Sequence, residues 1–210
     1  MNPPVSVIVL AAGSGSRFTG AGHKLLQSLD DPGDAGAVLS VTLRNAIASR
    51  LPVLVVTTAA LAPLAHQQVA ARDVVIVPPL RNRGMGDSIA AGVSARADAA
   101  GWLVLPADMP RVRPATLQQV AQALQVHAVA YAQYHGRRGH PVGFAAELYS
   151  ELVALTGDEG ARRLVARYPA QAVEVDDPGV LVDIDTVQDL AALRAVQGGG
   201  GAAARVPPRH

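Results

Sequence analysis

The chain has 210 residues, of which 50% are hydrophobic and 17% charged, so a single sizeable core is feasible and global disorder is excluded. Aromatics make up only 3%, leaving aliphatic and alanine side chains to fill that core, and a formal charge of +1 gives no general attraction to nucleic acid or anionic membrane. The absence of cysteine excludes a disulfide scaffold, thiolate zinc sites, iron–sulfur ligation and cysteine nucleophiles.

The first apolar run, Val5 to Ala12, has no basic residue before it and is too short to span a bilayer, so neither a targeting signal nor a transmembrane helix is expected and the chain reads as cytoplasmic. Val5–Leu10, Val53–Thr58, Val74–Val77 and Trp102–Leu105 are near-continuous apolar runs, the pattern of strands buried on both faces. Between them Val38–Ser49, Leu61–Ala71, Asp87–Ala97 and Pro114–Gln125 read as helices. This alternation predicts an α/β fold with right-handed crossovers and a mostly parallel sheet. Further on, Val129–Tyr134 and Val142–Phe144 predict a hairpin around Gly136–Gly139. Helices are expected over Ala145–Leu155 and Glu159–Tyr168, strands over Ala172–Val175 and Val180–Ile184, and a last helix from Thr186 to Val196. Residues 1–197 read as one domain containing a polar loop at Asp30–Gly36. The Gly-, Ala- and Pro-rich segment 198–210 reads as a disordered tail.

Open parallel sheets bind ligands at the carboxyl ends of their strands. After the first strand come Gly13, Ser14, Gly15, Ser16 and Arg17, followed by Lys24, the only lysine among 18 basic residues. Closely spaced glycines let backbone N–H groups approach phosphate oxygens, which Arg17 and Lys24 could neutralise. The plain alternative is a mobile surface loop. A Walker loop is excluded because no Gly-Lys-Ser/Thr occurs, and a dinucleotide fingerprint fails at Phe18 and at Thr57-Thr58.

Asp108, between Pro106 and Pro110 just past an apolar strand, is placed to hold a hard cation, or is simply a solvated loop aspartate. Asp183 and Asp185 precede the last predicted helix. Asp185 is equally suited to capping that helix, with Asp189 in its first turn. Taken together, the two strand-end carboxylates and the cationic glycine loop suggest magnesium on a nucleoside triphosphate. Gly86 and Ser88 open a helix whose free N–H groups could meet a nucleotide, unless Asp87 or Ser88 is an ordinary cap. Thr156 and Glu159 fit a capping box. The six histidines show no ligand-pair spacing and no nucleophile elbow is present, so a zinc site and a serine hydrolase are both unsupported.

Leu10-Ala11-Ala12-Gly13-Ser14-Gly15-Ser16-Arg17-Phe18 with His23-Lys24-Leu25 resembles the opening signature of nucleotidyltransferases, and Leu105-Pro106-Ala107-Asp108-Met109-Pro110 their metal-aspartate motif. Gly139-His140-Pro141, Gly157-Asp158-Glu159-Gly160-Ala161-Arg162 and Asp183-Ile184-Asp185-Thr186 complete a set similar to the MocA-like molybdenum cofactor cytidylyltransferases within the MobA-like group. The resemblance implies a three-layer Rossmann-like fold. It also implies transfer of CMP from CTP to the terminal phosphate of a molybdopterin-type cofactor, releasing pyrophosphate. In that reading Leu10 to Arg17, with Gly86 and Ser88, bind the nucleotide, and Lys24 stabilises charge at the α-phosphate. Asp108 and Asp185 hold Mg2+, for which Mn2+ can substitute. His140, Gly157, Asp158, Gly160 and Arg162 are the expected pterin-side residues, and a molybdoenzyme client or its chaperone is an expected partner. Guanylyl-transferring relatives usually carry Leu-Ala-Gly-Gly, so the Ala12 methyl favours the smaller cytosine, by about 1–3 kcal/mol at most. Asp87 departs from the pattern, since an acid there would repel a phosphate. The alternatives are a GTP-dependent guanylyltransferase, a cytidylyltransferase for another phosphomonoester, and a non-catalytic molybdenum cofactor carrier.

Overall fold

The computed structural model describes residues 3–13, 15, 18–29, 36–78 and 84–198. Ser14, Ser16, Arg17, most of the 30–36 loop and the expected tail from 199 onward lie outside the described residues. The strands are β1 (Ser6–Ala11), β2 (Val53–Thr57), β3 (Val74–Ile76), β4 (Gly101–Pro106), β5 (Val129–Tyr134), β6 (Arg137–Ala145) and β7 (Ala170–Glu174). They form one sheet in the order β3-β2-β1-β4-β6-β5-β7, parallel except where β6 runs against β4 and β5.

Val7, Ile8 and Val9 of β1 are wholly buried, because β1 lies centrally with helices on both faces. Each such side chain contributes roughly 1.5–3 kcal/mol of burial. Alternation along the strands divides them between two cores. Val7, Val9, Leu103 and Leu105 pack against α1 (Val38–Ala48), α2 (Ala62–His66), α4 (Pro114–Ala123) and α7 (Val187–Gly198). Ile8, Trp102, Val104, Val142 and Phe144 face α3 (Met85–Ser94), α5 (Tyr149–Val153) and α6 (Arg162–Arg167). The result is a three-layer α/β arrangement, with the mostly parallel sheet that the sequence pattern predicts and the layering that the resemblance implies. None of the described helices is long and apolar enough to cross a membrane.

Several predicted elements are shortened. The helix expected over Leu61–Ala71 is only Ala62–His66, since the N–H groups of Gln68 and Val69 both turn back to the Ala65 carbonyl. Ala145 ends β6 rather than starting a helix, and the chain then makes a 3-10 turn at Ala146–Leu148 before α5. The strand expected at Val180–Ile184 is replaced by a 3-10 turn, Pro178–Leu181. The buried Asp177 is the reason. Its Oδ1 accepts the Gly179 N–H at 3.0 Å, while its Oδ2 accepts the Arg113 N–H at 2.8 Å and the Thr116 hydroxyl at 2.7 Å. It therefore caps the start of α4 from more than 60 residues away and bends its own segment off the sheet.

The parallel strands run from β1 outward through β2 to β3, and the chain then crosses to β4 on the other flank of β1. The carboxyl ends of β1 and β4 thus flank the reversal of strand order, where open α/β sheets form their ligand crevice.

Candidate active site

Beyond β4 the loop carrying Asp108 is held from three directions. The Ala107 N–H donates to the Leu10 carbonyl at 3.0 Å, the buried Thr42 hydroxyl donates to the Ala107 carbonyl at 2.8 Å, and Asn45 Nδ2 donates to the Pro110 carbonyl at 2.8 Å. The Asp108 carbonyl accepts the Ile184 N–H at 3.0 Å, which brings the 183–185 segment alongside. That approach depends on Gly179, where a Cβ would stand 2.2 Å from the Arg111 carbonyl oxygen.

On the β1 side, Gly15 has φ +62°, a left-handed conformation that favours glycine. His23 fastens this loop to the following turn. Its Nδ1 accepts the Leu25 N–H at 3.2 Å, so Nε2 carries the proton and donates to the Gly13 carbonyl at 3.2 Å. This role is not readable from the sequence, where His23 is only a neighbour of Lys24.

Lys24 follows, and its ammonium joins the two carboxylates. Lys24 Nζ lies 2.6 Å from Asp108 Oδ2 and 2.9 Å from Asp185 Oδ1, with all three side chains largely buried. Burial disfavours the charged lysine, but the charges and hydrogen bonds of Asp108 and Asp185 outweigh it and hold the Lys24 pKa above its ordinary value. Burial, together with the charges of Asp108 and Asp185, raises Asp183 above the usual aspartate range. Asp185 does not cap the last helix. Thr186 does so instead, its Oγ1 accepting the Asp189 N–H at 3.1 Å while Asp189 Oδ2 accepts the Thr186 N–H at 2.7 Å. His140 lies beside Asp108 with its Nδ1 buried and unpartnered, and burial lowers its pKa, leaving a neutral imidazole.

A second cluster forms at the start of α3. The Gly86 N–H donates to the Gly157 carbonyl at 2.8 Å, and the Asp87 carboxylate accepts the Gly157 N–H at 3.0 Å. Cβ atoms at Gly84 and Gly86 would stand 2.2 Å from Gly157 and 2.8 Å from Thr156, so these glycines admit the neighbouring loop. Ser88 is buried in the first turns of the helix, whereas Asp158 and Arg162 are exposed. The expected Thr156–Glu159 capping box does not form. The N-cap of α6 is Ala161, and Glu159 pairs with Arg163.

Residues 7–173 match the pattern of the MobA-like NTP transferase domain. The chain belongs to the MobA-like NTP transferase family. It is similar to the purine catabolism protein PucB of Bacillus subtilis, 33% identical over 117 residues, which is 53% of this chain and 57% of PucB. The match thus spans little more than half the length of that relative. Rv0371c from Mycobacterium tuberculosis has a similar structure, with a TM-score of 0.74 at 26% identity, covering 91% of this chain and 98% of that one. Its manganese complex aligns with a TM-score of 0.72 at 25% identity over 93% of this chain and 100% of that one. The molybdopterin-guanine dinucleotide biosynthesis protein A of Archaeoglobus fulgidus shares the fold, with a TM-score of 0.69 at 17% identity, covering 92% of this chain and 99% of that one.

The chain carries the MobA-like NTP transferase domain over residues 7–173, and its carboxylates fit a divalent cation. Asp108 Oδ1 is buried with no hydrogen-bond partner, while Asp108 Oδ2 and Asp185 Oδ1 converge on one positive charge. No group of three or more His, Asp or Glu side chains suited to a metal occurs among the described residues. Magnesium bound with a nucleotide needs only one or two carboxylates, the rest of its shell coming from phosphates and water.

Proposed function

We propose that the protein transfers CMP from CTP to the terminal phosphate of a molybdopterin-type cofactor in the cytoplasm, giving the cytosine dinucleotide cofactor and pyrophosphate. The observation that carries this reading is the ammonium of Lys24 between Asp108 and Asp185, next to the glycine loop that ends β1. An oxygen of the acceptor phosphate forms a bond to the α-phosphorus, and the bond from that phosphorus to the α–β bridging oxygen breaks, its electron pair leaving with pyrophosphate. The attacking phosphate is already ionised, so no strong general base is needed.

Lys24 supplies positive charge where negative charge builds around the α-phosphate. Asp108 and Asp185 would hold magnesium, which would supply further charge neutralisation on the triphosphate. Nothing crowds the space a Cβ would take at Gly13, which leaves the backbone there open to phosphate oxygens, and His23 fixes the loop. Ala12, buried at the end of β1, keeps a methyl group where a purine would need room. Such a methyl is worth about 1–3 kcal/mol of preference for cytosine.

The test is a thermal shift with CTP, GTP and ATP, each with and without magnesium, followed by pyrophosphate release with molybdopterin. A magnesium-dependent rise with CTP alone supports the reading; ligand at 100 times its dissociation constant should stabilise by about 2.7 kcal/mol. A rise with GTP alone keeps the nucleotidyltransferase and discards the role of Ala12. Asp108→Ala should abolish turnover, and activity that survives it would discard the metal assignment.

A further inference from the structure

The β5–β6 hairpin carries a cation that the chemistry above leaves unused. β6 runs antiparallel to β4 with Val142 opposite Val104, so the residues before Val142 extend past the carboxyl end of β4, where Asp108 emerges. His140 is close enough to Asp108 to feel its charge, and Arg138 is close enough to His140 to oppose protonation of its ring. The Arg138 guanidinium lies 4.7 Å from the centre of the Tyr131 ring, and Tyr131 packs on the α3 side of the sheet. Arg138 therefore shares that side with the start of α3 and the α5 and α6 helices. A register shift between Tyr131 and Gln133 twists the hairpin at this point, and such irregularities commonly re-aim side chains beside sites.

Two further observations point to a ligand. Arg138 is exposed and forms no ion pair with any described carboxylate. Glu174, the acid of the adjoining strand, is engaged by Gln133 Nε2 and the His135 N–H instead. In addition, His140 Nδ1 is buried without a partner next to this arginine, an arrangement that native proteins rarely leave unexplained. The cleft itself is acidic, with Asp108, Asp183 and Asp185 gathered at one end, and Lys24 is held by two of them. A second anionic substrate therefore needs its own counter-charge. A guanidinium stacked on an aromatic ring keeps its N–H edge free for bidentate contact with a phosphate.

We propose that Arg138, held on the Tyr131 ring beside His140, binds the phosphomonoester of the acceptor substrate. This rests on the nucleotidyltransferase reading and deepens it by assigning the acceptor's phosphate to the β5–β6 hairpin. The test uses the full chain loaded with magnesium and a non-hydrolysable CTP analogue, into which inorganic phosphate is titrated by calorimetry. Arg138→Met should weaken phosphate binding at least ~10-fold, the scale of one charge-assisted contact, with analogue affinity and melting midpoint unchanged. Arg138→Lys should recover part of the loss. In turnover, Arg138→Met should raise KM for molybdopterin by a similar factor and leave kcat at saturation nearly unchanged. Equal phosphate affinity in wild type and Arg138→Met, or a parallel loss of analogue affinity, overturns the assignment. If molybdopterin gives no turnover in the wild type while phosphate binding still depends on Arg138, the acceptor named above is wrong and the hairpin site stands.

Discussion

Lys24 Nζ and Asp108 Oδ2 are 2.6 Å apart although 84 residues separate them in the chain. The contact joins the loop after β1 to the loop after β4, the two strand ends that flank the reversal of sheet order. Asp185, 161 residues from Lys24, completes the group at 2.9 Å.

Replacing Lys24 with Met removes the cation and leaves two carboxylates facing each other. Turnover should fall by about 10²–10³-fold, the cost of losing one preorganised charge donor. Stability at pH 7 should fall by about 1–3 kcal/mol, less than for a fully buried pair because solvent still reaches these groups. Manganese should stabilise the variant more than the wild type in denaturant titrations. Turnover within a few-fold of wild type would remove Lys24 from the chemistry.

The Asp87–Gly157 hydrogen bond makes a separate prediction. Asp87→Ala leaves the Gly157 N–H without its acceptor and should speed amide exchange across residues 156–160. Asp87→Asn keeps an acceptor oxygen and should preserve protection. If Asp87 also lies near the triphosphate, its charge opposes binding, and Asp87→Asn should tighten CTP affinity. Unchanged exchange in Asp87→Ala would show that the loop is held by its packing on Gly84 and Gly86 alone.

A Cβ at position 179 would stand 2.2 Å from the Arg111 carbonyl oxygen. Gly179→Ala must therefore move the Pro178–Leu181 turn, which leads into the segment bonded to Asp108. Destabilisation of about 1–3 kcal/mol is expected from the overpacking. Turnover should fall together with stability, because Asp185 shifts away from Lys24. A variant of normal stability and activity would show that this turn yields without disturbing the site.

Hydrogen bonding to Thr186 holds the Asp189 carboxyl below its ordinary value of 3.8. A depressed carboxyl contributes stability that is complete above about 3.8 and is lost as pH falls through the folded-state value. Asp189→Ala should destabilise the start of α7 by about 1 kcal/mol at pH 7. The gap from wild type should narrow as the pH drops below about 3.8. Urea melts at pH 7 and pH 3 would check this, and a gap independent of pH would assign the loss to packing instead.

Sequence by itself determined the layered α/β fold, because near-continuous Val, Ile and Leu runs can be satisfied only by strands covered on both faces. It also singled out Lys24, Asp108 and Asp185 as charged residues that follow apolar runs or precede a helix. Only the tertiary structure decided how those charges are used. Whether Asp185 caps the last helix turned on Thr186 and Asp189, whose reciprocal hydrogen bonds take that role, while Asp185 pairs with Lys24. The segment at Pro178–Leu181 reads as a strand locally, yet Asp177 diverts it through bonds to Arg113 and Thr116, a partnership between distant residues that no local pattern encodes. Gly86 reads locally as part of a helix start, and only the tertiary structure shows that its lack of a side chain, like that of Gly84, also lets the 156–158 backbone approach. Periodicity reports what a residue's own element needs; the partner from another element is fixed only when the sheet brings the two together.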